Sequence, residues 1–237
     1  MMDCVRAGRY EVGVLYLDNH LLVVRKPVNM PVQEDASGDL DLLTAMKAYI
    51  GEKFQKPGSV YLGLVHRLDR PVGGVMVLAR TSKAAARLCA AFAEHAVAKR
   101  YLAILEGVLG EQVTLTDYLL KGTDGMVRVV GEQAPGAKRA SLTSRPLAVN
   151  AGRTLAQIEL MTGRSHQIRV QHAAVHLPLW GDQRYGHGVP GEQLALWAYS
   201  LAFAHPTTKQ AMAFIDLPSG GAWQAFAGEI EALDGHA

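Results

Sequence analysis

The sequence predicts an α+β fold, a mixed and largely antiparallel β-sheet with flanking helices, and three observations carry that prediction. Short apolar runs of strand length recur with turn residues between them, at 12–16 and 21–24 and again from 113 to 150. Two segments, 41–54 and 81–98, carry their apolar residues at helical spacing instead. No linker divides the 237 residues, so a single domain over 1–237 is expected.

Val12 to Tyr16 and Leu21 to Val24 flank Asp18-Asn19-His20, turn chemistry that joins two strands into a hairpin. Lys26-Pro27 ends the hairpin, and Met30-Pro31-Val32 continues extended. Leu42, Leu43, Met46, Tyr49 and Ile50 fall at helical spacing, with Asp39 or Asp41 as the N-cap. Tyr61 to Val65 leads into the stretch 63–80. There Leu64, Val65 and Leu68 alternate loosely with His66, Arg67, Asp69 and Arg70. Pro71 and Gly73-Gly74 then break the chain, and Val75 to Ala79 reads as a short buried strand. Thr81-Ser82 opens a helix to about Ala98, with Leu88, Phe92 and Val97 on its apolar side. Tyr101 to Gly107 is the next strand. The segment 113–150 turns at Gly122, Asp124-Gly125 and Pro135-Gly136. Thr154 to Leu160 is a strand, and Ser165 caps a helix from His166 to His176. Leu194 to Ala204 precedes His205-Pro206, Ala211 to Leu217 forms a last strand, and Trp223 to Leu233 a short terminal helix.

Composition narrows the function. The chain is 49% hydrophobic and 19% charged, with a formal net charge of +2, so a nucleic-acid site has to be a local basic patch and not a global field. Cys4 and Cys89 have no paired or CxxC spacing, which speaks against a disulfide framework and for a reducing cytoplasm. No run of about eighteen apolar residues suggests a membrane span. Residues 1–10 are charged and lack the apolar core of a secretory signal. His172 and His176 stand at zinc-ligand spacing, but no glutamate of an HExxH motif lies between them, so no metal is expected.

Asp69 sits on an irregular segment feeding a core strand, between Arg67 and Arg70. Two cations beside a carboxylate keep it ionised, and either a structural ion pair or an anion-holding active site would use that arrangement. The wider stretch resembles the HRLD signature of the RluA family of RNA pseudouridine synthases. Two further motifs follow in the same order: K-x-Y-x-A-x-x-x-G at Lys99, Tyr101, Ala103 and Gly107, and L-x-T-G-R-T/S-H-Q-I-R from Leu160 to Arg169. Trp180 to Gly186 resembles the family's G-D-x-x-Y-G segment. The resemblance runs from about 12 to 217. The sequence departs from it in the turn Val72-Gly73-Gly74, where the family carries Ser or Thr, as in TSG or VSG, at Gln171, often His, and at Trp197, usually His.

The resemblance implies a pseudouridine-synthase catalytic fold with a central RNA-binding cleft, and it makes Asp69 the catalytic carboxylate. Tyr101 and Arg169 are implied at the substrate, with Arg169 pairing the catalytic aspartate. His66, Arg67, Arg70, Arg164 and His166 complete the expected substrate-binding set, and Lys99-Arg100 and Lys138-Arg139 are candidate phosphate contacts. His166 and Arg169, three apart on a helix, would share a face. The expected partner is RNA, a stem-loop of ribosomal RNA ahead of transfer RNA, with no N-terminal S4 domain, no cofactor, no membrane partner and a monomeric state expected as well. Many relatives carry that S4 domain, and about ten residues ahead of the first hairpin leave no room for one. The chemistry fits one carboxylate: isomerising uridine loses no atoms, whereas a glycosidase of the usual kind needs two carboxylates. Two other classes compete. A catalytically silent RNA-binding module of the same fold would have no need of Asp69, Tyr101 and Arg169 together. A metal-dependent nucleic-acid hydrolase would need clustered acidic ligands, and the carboxylates here are scattered.

Overall fold

A computed structural model of the chain describes residues 3–233. It divides into two compact units, Met1–Ala98 with Ser200–Asp216, and Lys99–Tyr199 with Leu217–Ala237. Of the N-terminal stretch read above as lacking a signal, positions 1 and 2 lie outside the described residues.

The first unit opens with a meander of β1 (Asp3–Ala7), β2 (Tyr10–Leu17) and β3 (Leu21–Lys26). The Asp18 carboxylate makes the β2–β3 turn by accepting the N–H groups of His20 and Leu21, both at 2.7 Å. β1 had no sequence signal: DCVRA is short and mostly exposed, and strand pairing alone defines it. α1 (Leu42–Lys53) starts at Asp41, whose side chain accepts Thr44 N–H, which settles the choice of cap. β4 (Gly63–Leu64) and β3 both pair with β5 (Gly73–Ala79), and every residue of β5 is buried. The register sets Lys26 opposite Gly74 and Leu21 opposite Ala79.

α2 (Ser82–Ala93) is capped by Thr81 and stops five residues before the predicted end at 98. The cause is His95, which takes a left-handed φ of 58° while Ala96 N–H reaches back to the Ala91 carbonyl at 2.9 Å. Val97 therefore joins the core after the helix, with Leu21, Val77, Leu88 and Phe203.

The second unit is built on β6 (Ala98–Glu106), β7 (Val113–Lys121), β8 (Val127–Val130), β9 (Lys138–Asn150) and β10 (Arg153–Leu160). β10 lies between β6 and β9, β9 also pairs with β7, and β7 with β8, all antiparallel. α3 (Gln167–Ala174) covers one face of these strands through Val170, which packs with Leu119, Val127 and Ala140. β11 (Leu196–Ala204) ends in the first unit, where it pairs with β12 (Ala211–Ile215). The terminal segment is a 3₁₀ turn, Gly221–Phe226, followed by α4 (Ala227–Glu231). No helix among the described residues is long and apolar enough to cross a membrane.

Candidate active site

Asp69 lies on the irregular segment between β4 and β5, and its neighbours pin that segment. Leu68 is buried, Arg67 is exposed and Asp69 is half-buried. β4 provides only two rungs to β5, and His66 then supplies the next bond with its side chain. Its Nε2 accepts the Val77 N–H at 3.0 Å, and the ring stacks on Phe92 at 4.7 Å between centroids. The chain reverses through a turn in which Val72 N–H donates to the Asp69 carbonyl at 3.0 Å. Val72 is 2% exposed, so its side chain is buried within the turn.

Lys26 is wholly enclosed next to this turn. Its ammonium donates to the carbonyls of Pro27, Met30 and Arg70, at 3.0, 2.7 and 3.1 Å. Burial pulls its pKa down to about 7, Asp69 pushes it up and Arg70 down. Arg70 is held at its other end too. Its Nε donates to the Asn29 carbonyl at 3.1 Å and Nη1 to Ser37 Oγ at 2.8 Å, while Asp35 and Asp39 pair with the guanidinium. Of the two arginines flanking Asp69, Arg70 is thus engaged by acids and Arg67 is exposed.

In the second unit Tyr101, 9% exposed, stands on β6 opposite Ile158. Arg169 is 6% exposed and bound in a fork by Asp182, Nε to Oδ2 at 2.8 Å and Nη2 to Oδ1 at 2.7 Å. Asp182 is itself 1% exposed, and Oδ1 also accepts the N–H groups of Arg184 and Tyr185. Burial works against its charge, but Arg169 and the two N–H groups outweigh burial and hold the carboxyl below its ordinary range. The Tyr185 ring lies beneath the Arg169 guanidinium at 5.1 Å, and its hydroxyl bonds His166 Nδ1 at 2.7 Å and accepts Val127 N–H.

α3 does not begin as the sequence suggested. His166 is the N-cap, in a left-handed conformation with φ of 52°, and no side chain caps the helix. Ser165 is exposed, and the TGRS turn is tied by Gln167, whose Oε1 accepts Thr162 Oγ1 at 2.7 Å and Arg164 N–H at 3.0 Å. His166 is therefore outside α3 and does not share a helical face with Arg169; Tyr185 links the two instead. Arg164 is exposed, its Nε on the Arg139 carbonyl. Lys138 and Arg139, adjacent on β9, alternate between the faces of the strand layer, so they are not one patch. Both ring nitrogens of His172 are taken, Nδ1 by the Ile168 carbonyl and Nε2 by Ser144 Oγ, and His176 lies beyond the helix.

Sequence reasoning missed Lys26, Asp182 and Tyr185 as site-building residues. Asp182 and Tyr185 had a signal, since both belong to the Trp180–Gly186 motif. Gly181 of that motif has a φ of 71°, and a Cβ there would meet the Gln193 carbonyl at 2.5 Å, so the turn presenting Asp182 requires glycine.

The first unit, taken by itself, holds Asp69 on a segment with a pinned backbone, and the second, taken by itself, holds a forked arginine with aromatic neighbours. Comparisons with known proteins give the chain its family. Residues 20–174 match the family model of RNA pseudouridylate synthase. The chain is 31% identical over 214 residues to ribosomal large subunit pseudouridine synthase D of Zymomonas mobilis, covering 85% of this chain and 67% of that protein. It is 32% identical over 223 residues to ribosomal large subunit pseudouridine synthase C of Vibrio vulnificus, covering 87% and 65%. The chain thus spans about two thirds of the length of these curated relatives. In fold it is similar to human RNA pseudouridylate synthase domain containing 4, with a TM-score of 0.73 at 22% identity over 93% of this chain and 92% of that one. Human RNA pseudouridylate synthase domain containing 1 gives a TM-score of 0.67 at 25% identity, over 92% and 84%. The chain belongs to the RluA family of RNA pseudouridine synthases.

Proposed function

We propose that this protein isomerises specific uridines of ribosomal RNA to pseudouridine, with Asp69 as the catalytic carboxylate. The N1–C1′ bond of the uridine breaks, the uracil turns, and a C5–C1′ bond forms. The C5 proton leaves to solvent and N1 gains one, so no cofactor is consumed. One carboxylate serves this chemistry, as nucleophile at C1′ or as base at C2′. The observation that carries the reading is the fixing of the Asp69 segment by His66, Leu68, the Val72 turn and the Lys26 ammonium. A carboxylate that must meet one sugar atom gains from a backbone held on every side.

In this reading Tyr101 and Arg169 attend the target uridine, and His166 reaches it from the Tyr185 link. Arg67, exposed two residues from Asp69, stacks where the flipped base has left the helix. Arg164 and Lys99-Arg100 supply phosphate contacts. Work in the cytoplasm on a ribosomal RNA stem-loop, as a monomer, completes the proposal. The two free cysteines, Cys4 and Cys89, agree with a reducing compartment. The names of the curated relatives favour ribosomal over transfer RNA.

Asp69→Asn tests the assignment. The amide is nearly isosteric but can neither attack C1′ nor take a proton. Tritium release from RNA labelled with 5-tritiated uridine should vanish while RNA binding stays within a few-fold of wild type. Release at the wild-type rate would end the assignment of Asp69.

A further inference from the structure

The side chain of the residue after Asp69 is tethered at several points, and an acidic loop supplies most of the tethers. Residues 34–39 fold back on themselves: Asp35 Oδ1 accepts Ser37 N–H at 2.9 Å, Ser37 Oγ accepts Asp39 N–H at 3.2 Å, and Gly38 N–H donates to the Asp35 carbonyl. So shaped, the loop offers Arg70 two carboxylates and a hydroxyl. Asp39 also pairs with Arg9 at 3.0 Å, and Arg9 donates to Tyr10 Oη, which donates to the same Asn29 carbonyl that receives Arg70 Nε. Asn29 has a left-handed φ of 63°, a conformation asparagine takes readily, and in it presents that carbonyl. Meanwhile the Arg70 backbone carbonyl is fixed by Lys26. Both the side chain and the main chain of the residue next to Asp69 are held by groups far away in sequence.

We propose that Arg70 is a positioning residue for Asp69, gripped by the 34–39 loop, and that this loop sets turnover and not RNA affinity. The proposal rests on the reading of Asp69 as the catalytic group. Two carboxylates, a hydroxyl and a carbonyl take up the fork of the guanidinium, which leaves it a structural clamp instead of a phosphate ligand. The pairs are part-exposed, with side-chain exposures of 35% for Arg70, 40% for Asp35 and 32% for Asp39, so they add little to global stability. Their effect is local: they decide where the Asp69 backbone sits. A misplacement of about 1 Å at a reacting group costs on the order of a hundredfold in rate.

The test compares wild type, Asp35→Asn/Asp39→Asn, Arg70→Lys and Asp69→Asn, on RNA labelled with 5-tritiated uridine from cells lacking the protein. The double amide and Arg70→Lys should each lower kcat roughly ten- to a hundredfold, with KM, RNA affinity and its salt dependence at wild-type values. Lysine keeps the charge but cannot span Asp39, Ser37 and the Asn29 carbonyl at once. If the double amide does not fold by circular dichroism, Arg70→Lys decides alone. Tighter RNA binding with a steeper salt slope in the double amide would overturn the proposal, because it would mean that the acids mask a phosphate site. Wild-type kcat in both variants would overturn it as well. The Asp69→Asn control separates the failures: an active control removes the reading of Asp69, whereas a dead control beside fully active loop variants removes only the role of Arg70.

Discussion

His172 is fully enclosed and tied to one tautomer, because Nδ1 must donate to the Ile168 carbonyl and Nε2 must accept from Ser144. Burial lowers its pKa to about 4, with the Ile168 contact opposing. The unfolded chain binds a proton near the ordinary histidine value of about 6.5 and the folded one only near 4, so between those values the unfolded state holds more protons. Stability therefore falls as pH drops through this window, by about 3 kcal/mol across the whole of it. Lys26 has the same sign in a different window, roughly 7 to 10, where the unfolded lysine keeps a proton that the folded one gives up. Urea unfolding at pH 7 and pH 5 should show the loss, and His172→Gln, which can still donate and accept, should flatten it. An equal loss in the variant would move the cause elsewhere. None of this was visible in the sequence, where His172 was weighed only as half of a zinc pair. Lys26 was hidden for a related reason: a lysine before proline at the end of a hairpin reads as a surface turn. Only the fold shows three carbonyls converging on its ammonium.

Elements were more legible than residues wherever local chemistry decides them. Asp41 and Thr81 cap α1 and α2 from within their own sequence, and Asp18 takes the two N–H groups of its turn from the next three residues. The boundaries that departed, at His95 and His166, both hinge on a non-glycine residue with positive φ, which no propensity announces. A third such residue makes its own prediction. β9 and β10 are joined by a two-residue turn, with Asn150 paired to Arg153, Ala151 at φ of 49° and Gly152 at 74°. Both positive angles mark a type I′ turn, which favours Asn-Gly and strains alanine. Ala151→Asn should raise stability by about 0.5–1 kcal/mol and the melting temperature by a few degrees. A thermal melt at or below the wild-type midpoint would show that the turn bears no strain.

For the molecule as a whole the sequence carried the α+β class and the order of motifs, because both follow from patterns that repeat along the chain. How the basic side chains group was not readable, because grouping depends on strand register. Register separates Lys138 from Arg139. Lys138, Ala140, Leu142 and Ser144 share the face of β9 that α3 covers, as the Ala140–Val170 packing and the Ser144–His172 bond require. Arg139, Ser141, Thr143 and Arg145 fall on the other face. There Arg139 stands opposite Tyr118 and Arg145 bonds Gln157, while Thr114 and Thr116 pair with Thr143 and Ser141. The net charge of +2 is too small to gather RNA by a global field, so affinity has to come from local sets of this kind. Arg139 and Arg145, both exposed and on the polar face, are the pair to expect against phosphates. Each phosphate they neutralise releases counterions and adds about 0.7 to the slope of log affinity against log salt for a single strand. Arg139→Ala/Arg145→Ala should therefore flatten that slope by about one to one and a half and weaken binding at low salt. Lys138→Ala, on the helix-covered face, should leave the slope at its wild-type value, and kcat at saturating RNA should hold in both. Filter binding across a salt series decides: a flattened slope in Lys138→Ala with none in the arginine pair would put the RNA on the opposite face of these strands.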